Sequence, residues 1–236
     1  MKIEVWSDTI CPFCYIGKRK LEKALAKFGH QDEIVVLWKS FQLNPNIPKD
    51  LPKSTNMIAY LAASKSWSIE ESKAAHKHVA EMAAKEGLNY DFDNAIVANS
   101  MDANRFIHLA QRFGVQNEAE ELLFKAYFTE GKDIADLETL VQIGGELKIE
   151  ADVVREAMNS DAFQHAVNQD IQEAQAIGVR GVPFFVFDRK FAISGAQADA
   201  VFDDTLKSAF ESWKGEEQTF ISPENQGDAC SVDGDC

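Results

Sequence analysis

The residues best suited to chemistry are four cysteines in two close pairs, Cys11/Cys14 and Cys230/Cys236, with none between them. In a chain of 236 residues two such pairs cannot build a general disulfide framework, so redox chemistry or metal binding is the better starting point. A disulfide-exchange catalyst needs one accessible thiolate and a second thiol close enough to resolve the mixed disulfide. Cys11 and Cys14 are separated by two residues at the start of a predicted helix, which meets both needs. Cys11 lies on the N-cap side, facing free N–H groups and the positive end of the helix dipole, where a thiolate is stabilised. Cys14 lies one turn in and is less exposed. Cys11 is therefore the expected nucleophile and Cys14 the resolving thiol. The alternative is half of a zinc site, which needs two further ligands. His76 and His78 are two apart on a helix and point to different faces, leaving Cys230 and Cys236 as the remaining ligand candidates.

Other residues could support this chemistry. Asp8, just before the pair, is a candidate proton acceptor for Cys14, with Lys39 as its partner. The alternatives are a strand-end turn residue and a solvated strand lysine. Gly181-Val182-Pro183 precedes an apolar run, and a proline opening a buried strand marks a special turn, of which a cis Val182–Pro183 bond is one form. Cys230-Ser-Val-Asp-Gly-Asp-Cys236 is a second pair whose Asp233-Gly234 favours a turn. It is either an auxiliary redox pair exchanging with Cys11/Cys14 or an incidental tail disulfide or metal clip.

The elements that must position these residues follow from periodicity. Residues 2–8 read as a strand and 12–28 as a helix, with Pro12 suited to the first turn and Gly29 to the stop. Residues 33–41 form a second strand, so the cysteines fall at a β–α junction. Helical patterns fill about 54 to 178. Ser68 with Glu71 makes a capping box, Ser100, Asp136 and Ser160 are further N-cap candidates, and breaks are expected at Gly87, Gly114, Gly131 and Gly144-Gly145. Two short strands, 182–187 and 191–193, surround a turn at Asp188-Arg189. A closing helix over 198–214 carries Val201, Phe202, Leu206, Phe210 and Trp213 as its apolar stripe. The order is β-α-β, many helices, then β-β-α. This is an α/β thioredoxin-like fold with a large all-helical insertion: residues 1–50 and 170–215 form the thioredoxin-like domain, 51–169 the insertion, and 216–236 a flexible tail.

Hydrophobic residues make up 45% and charged residues 26%, enough apolar content for a core without staples. The formal net charge is −14, from 38 acidic and 24 basic residues, which disfavours nucleic acid and anionic membranes as partners. No apolar run reaches a span's length, and the first residues read as a strand rather than a signal peptide. A cytoplasmic location, where thiols stay reduced, is expected.

The segments Ser7-Asp8-Thr9-Ile10-Cys11-Pro12-Phe13-Cys14-Tyr15-Ile16-Gly17 and Gly178-Val179-Arg180-Gly181-Val182-Pro183-Phe184-Phe185-Val186 resemble the DsbA family, more narrowly its FrnE-like branch. The resemblance runs over residues 1–214. It implies a protein thiol–disulfide oxidoreductase, with disulfide isomerase activity as a variant, that needs no cofactor or metal. Its implied partners are protein thiols and disulfides, with glutathione as a second. It implies a cis Pro183 facing the cysteines, substrate pairing to the Val182 backbone as in strand addition, and substrate contact from Pro12, Phe13, Val182 and Pro183. The chain departs from the pattern in two places. Periplasmic DsbA has His where this chain has Pro12-Phe13, which implies a weaker oxidant. Thioredoxin-like enzymes often bury a carboxylate six residues before the first cysteine, where this chain has Val5. The alternative function is a glutathione-dependent isomerase or transferase, similar to 2-hydroxychromene-2-carboxylate isomerase or kappa-class glutathione transferases. Those usually carry Ser at the position of Cys11.

Overall fold

The computed structural model describes residues 1–49, 51–52 and 55–219. Alternating apolar residues make β1 (Lys2–Ser7), and Pro12 starts α1 (Pro12–Phe28), which Gly29 stops in the left-handed conformation. A 3₁₀ turn (Gln31–Glu33) leads into β2 (Val35–Ser40). Seven helices follow: α2 (Met57–Lys65), α3 (Ile69–Lys85), α4 (Met101–Arg112), α5 (Gln116–Phe128), α6 (Leu137–Glu146), α7 (Ala151–Met158) and α8 (Gln164–Ala176). The chain then returns to β3 (Phe184–Phe187) and β4 (Phe191–Ser194), and closes with α9 (Asp199–Thr219).

The sheet order is β2-β1-β3-β4. β1 pairs parallel with β2, Val5 opposite Trp38, and antiparallel with β3, Val5 opposite Phe185. The β3–β4 hairpin turns through Asp188 and Arg189, both at positive φ. This is the thioredoxin-like α/β fold with its helical insertion between β2 and β3. Alternation along β1 sorts its side chains: Ile3 and Val5 join the main core with Ile16 and Phe185, while Trp6 joins a second cluster with Ala174, Val179 and Val186. The Trp6 indole donates to the Asp170 carbonyl at 2.9 Å.

Several expected boundaries shift. The Ser68/Glu71 capping box is present, and the Asp136 side chain caps α6 through the Thr139 amide. Ser160 does not start a helix. Its hydroxyl donates to the Ala157 carbonyl at 3.1 Å in the α7–α8 connection, and α8 begins after Phe163, which takes a left-handed conformation. Gly144-Gly145 does not break α6. A Cβ on Gly144 would lie 2.7 Å from Val154 Cγ2, so the glycine serves the close approach of α6 and α7 rather than a helix end. Helix α9 continues to Thr219, past the expected start of the tail, and Val201 is 39% exposed rather than buried with the stripe. Cys230 and Cys236 lie outside the described residues. Among the described residues no helix is long and apolar enough to cross a membrane.

Candidate active site

Cys11 is the N-cap of α1, with extended backbone (φ −92°, ψ 113°). Its amide donates to the Asp8 carbonyl at 2.9 Å, and its own carbonyl receives the Cys14 amide at 3.0 Å. No side chain caps this helix start, so the Cys11 sulfur faces a first turn whose N–H groups no capping oxygen occupies. Both cysteines are free thiols. The Cys11 thiol donates to the Val182 carbonyl at 3.4 Å, and the Val182–Pro183 peptide bond is cis. Two segments 171 residues apart in the chain thus meet at one sulfur.

Gly17 explains how α1 comes so close to this loop. A Cβ there would lie 2.9 Å from both Pro183 Cγ and the Phe185 ring. Glycine lets the first turns of α1 lie directly on Pro183 and β3. On the other side, the Tyr90 hydroxyl donates to the Pro12 carbonyl at 2.7 Å, tying the residues between the cysteines to the helical insertion. Tyr15, just after Cys14, stacks on Phe124 of α5 at 4.9 Å and donates to Glu121 at 2.6 Å.

The electrostatics differ sharply among the buried groups. Burial pushes the Cys14 thiol well above its usual value, and Cys11 beside it adds to the rise, against the smaller pull of the Asp8 amide and the Ser7 side chain. Asp8 is fully buried. Its carboxylate accepts from the Leu43 amide at 2.7 Å and the Ile10 amide at 3.3 Å. Burial still lifts it to about 6, against the pull of Leu43, Ser100 and Ile10. Glu120 on α5 is 2% exposed. Burial raises it to about 8, with Lys18 pulling down and Asp8 pushing up, and its Oε2 has no hydrogen-bond partner among the described residues.

The structure therefore brings Cys11, Cys14, Pro12, Phe13, Val182 and Pro183 to one place, joined by the Asp8 backbone, whose carbonyl accepts from the Cys11 amide. It does not bring Lys39 there. Lys39 is paired in register with Trp6 and shares its face of the sheet, where its ammonium meets Asp170 at 2.9 Å and Glu173 at 3.1 Å. Period-two alternation along β2 fixes that placement, so Lys39 is neither a partner of Asp8 nor a solvated strand lysine. His108 is likewise structural, pairing with Asp170 at 3.0 Å. Sequence reasoning missed Glu120, although it sits three and four residues before the core residues Leu123 and Phe124, a core-facing position for a carboxylate.

Beside Pro12 and Phe13 lies an apolar cavity of about 360 Å³, walled by α2, α3 and the C-terminal end of α5. Among the described residues no cluster of three or more His, Cys, Asp or Glu is arranged to hold a metal ion.

A family model described as the DSBA-like thioredoxin domain matches residues 2–207. The solved structure of a probable DsbA oxidoreductase from Streptomyces coelicolor is similar at 34% identity with a TM-score of 0.85, covering 99% of this chain and 97% of the other. The cytosolic disulfide reductase DsbM from Pseudomonas aeruginosa shares the fold, with a TM-score of 0.62 at 15% identity over 89% of this chain and 99% of its own. The uncharacterized protein YwbO of Bacillus subtilis (strain 168) is 25% identical over 207 residues, 86% of this chain and 94% of that protein.

Proposed function

Because this chain belongs to the DSBA-like thioredoxin domain family, we propose that it exchanges disulfides with protein substrates through Cys11 and Cys14. Cys11 is the attacking sulfur and Cys14 the resolving one. The observation that carries this reading is the pair of free thiols at the start of α1, with Cys11 against the Val182 carbonyl.

In the reducing direction the Cys11 thiolate attacks one sulfur of a substrate disulfide. That S–S bond breaks, a mixed disulfide forms, and the other substrate sulfur leaves as a thiolate. Cys14 then gives up its proton and attacks the Cys11 sulfur, expelling the second substrate thiol and closing a Cys11–Cys14 disulfide. Two electrons have passed to the substrate, and a thiol reductant must return the pair to the dithiol. The reverse sequence oxidises a substrate dithiol. The order of attack follows from the position of Cys11 at the uncapped start of α1 and from the raised pKa of Cys14, which holds that thiol protonated. Asp8, at about 6, is the proposed acceptor of the Cys14 proton, since a carboxyl in that range exchanges protons near neutral pH. The substrate backbone pairs with Val182 beside Pro183, and Pro12 and Phe13 form the surface it crosses.

Glutathione is the proposed reductant. The DsbM relative has also been solved with it, and a cytoplasmic setting would supply it. The intact cysteine pair favours this reading over a glutathione-dependent isomerase. Cys230 and Cys236 are an auxiliary dithiol in this scheme. The test is equilibration with glutathione buffers of graded ratio, followed by rapid alkylation and mass analysis. Cys11 and Cys14 should lose reactivity together in a single two-electron step. Finding both alkylated at every ratio would rule the mechanism out.

A further inference from the structure

No side chain caps the start of α1, yet the peptide unit between Pro12 and Phe13 is held from outside the helix, by the Tyr90 hydroxyl. We propose that Tyr90 is a positioning residue for Cys11: by donating to the Pro12 carbonyl it polarises the Pro12–Phe13 peptide unit and strengthens the Phe13 amide as a donor to the attacking sulfur. This rests on the function proposed above and adds a residue of the helical insertion to it.

Few donors are available to Cys11. As a thiol it donates to the Val182 carbonyl at 3.4 Å, but a thiolate can only accept. Its N–H partners must then come from the first turn of α1. Pro12 has no N–H, and the Cys14 amide is committed to the Cys11 carbonyl at 3.0 Å. The Phe13 amide is left. Among the described residues it meets neither a backbone carbonyl nor a capping side chain. It stands at the second helical position, one of the two whose amides an N-cap side chain reaches.

The Phe13 amide and the Pro12 carbonyl are opposite ends of one planar peptide unit. A donor on the oxygen draws electron density away from the nitrogen, and hydrogen bonds joined in this way reinforce one another by about 10–30%. Tyr90 makes that bond at 2.7 Å, and its ring is fixed in place. It stacks on Phe128 with centroids 4.8 Å apart and meets Phe92 edge-on at 5.5 Å. The following amide, of Asp91, donates to the Phe128 carbonyl at 2.7 Å. Burial pushes the Tyr90 hydroxyl far above its usual value; Cys11, Tyr15 and Cys14 add to the rise, and Arg19 opposes it. The hydroxyl therefore stays a neutral donor across the range in which a thiol titrates.

The test alkylates the reduced full chain with iodoacetamide over a pH series and follows the Cys11 peptide by mass analysis. Tyr90→Phe keeps the ring and its stacking and removes only the donor. The midpoint of Cys11 alkylation should rise by about 0.3 pH unit, a factor of about two in the thiol–thiolate equilibrium, which is the cooperative share of a charge-assisted hydrogen bond. 3-Fluorotyrosine at position 90 is nearly the same size and a stronger donor, so it should lower the midpoint by a comparable amount. Failure of the two midpoints to move in opposite directions would overturn the proposal. Exchange with a peptide disulfide is measured on the same samples. Exchange that persists without those shifts would overturn the role of Tyr90 alone, whereas a native chain inert toward the peptide would overturn the exchange reading and this one with it.

Discussion

Cys11 and Cys14, with two residues between them, differ because of what surrounds them. Both are buried, Cys11 at 3% exposure and Cys14 at 0%, so Cys11 is far less accessible than its position at the helix start suggests. Cys14 is held protonated, whereas the Cys11 sulfur lies at an uncapped helix start against the Val182 carbonyl. The place of the pair at a β–α junction was legible from the cysteine spacing and the strand and helix patterns around it. The partners of the neighbouring charges were not, because they come from elements far away in the chain. Lys39 is claimed by α8, and the carboxyl of Asp8 is bonded by the Leu43 amide from beyond β2. Glu120 gives the clearest prediction at this scale. Its folded value, about 8, lies above the ordinary value of 4.5. Below 4.5 both states are protonated, and the group leaves stability unchanged. Between 4.5 and 8 only the unfolded chain ionises, so stability falls as pH rises, and above 8 the full cost remains. Glu120→Gln removes this dependence. Its stability gain over the native chain should be near zero at pH 4 and grow to about 4 kcal/mol by pH 8, read by urea denaturation at both pH values. A difference that does not vary with pH would contradict the burial argument.

Among the elements, α1 was the most legible. Proline at its first position, a core stripe and Gly29 all pointed to Pro12–Phe28, the span observed. Glycines inside helices were the least legible. Gly144 looked like a break and instead lets Val154 pack against α6. From one sequence, a glycine needed for close packing looks the same as one needed for a turn. Gly17 belongs to the packing kind, and it sets the distance between α1 and the Pro183 loop. A valine there would meet Pro183 and the Phe185 ring at less than ordinary contact distance. Gly17→Val should therefore cost about 1–3 kcal/mol of stability and slow exchange with peptide substrates, as measured by denaturation midpoints and stopped-flow rates. Native-like values for both would mean that α1 has room to move off the loop.

On the scale of the whole molecule, the helical insertion is bonded to the sheet rather than only adjoining it. β2 is an edge strand, and Gln116 of α5 covers part of that edge. Its side-chain oxygen receives the Trp38 amide at 3.1 Å and its amide donates to the Trp38 carbonyl at 3.0 Å. A side chain here stands in for a fifth strand and blunts an exposed ladder. Asp170 of α8 ties in the same strand through the Ser40 amide at 2.9 Å. The strand and helix order was readable from periodicity and glycine punctuation, because each signal is local. These cross-chain bonds were not, because a glutamine or aspartate on a helix looks like any surface residue until the partner strand is known. The same rigid frame holds Cys11, Pro183 and the apolar cavity together. It is on this arrangement that the reading as an exchange catalyst depends, and one trapping experiment tests it most directly. Full-length Cys14→Ser protein, reduced and mixed with a peptide disulfide, should accumulate a covalent adduct, because the resolving thiol is gone. Peptide mapping should place that adduct on Cys11. An adduct confined to Cys230 or Cys236, or no adduct under conditions where the native chain reacts, would contradict the assignment of Cys11 as the attacking sulfur.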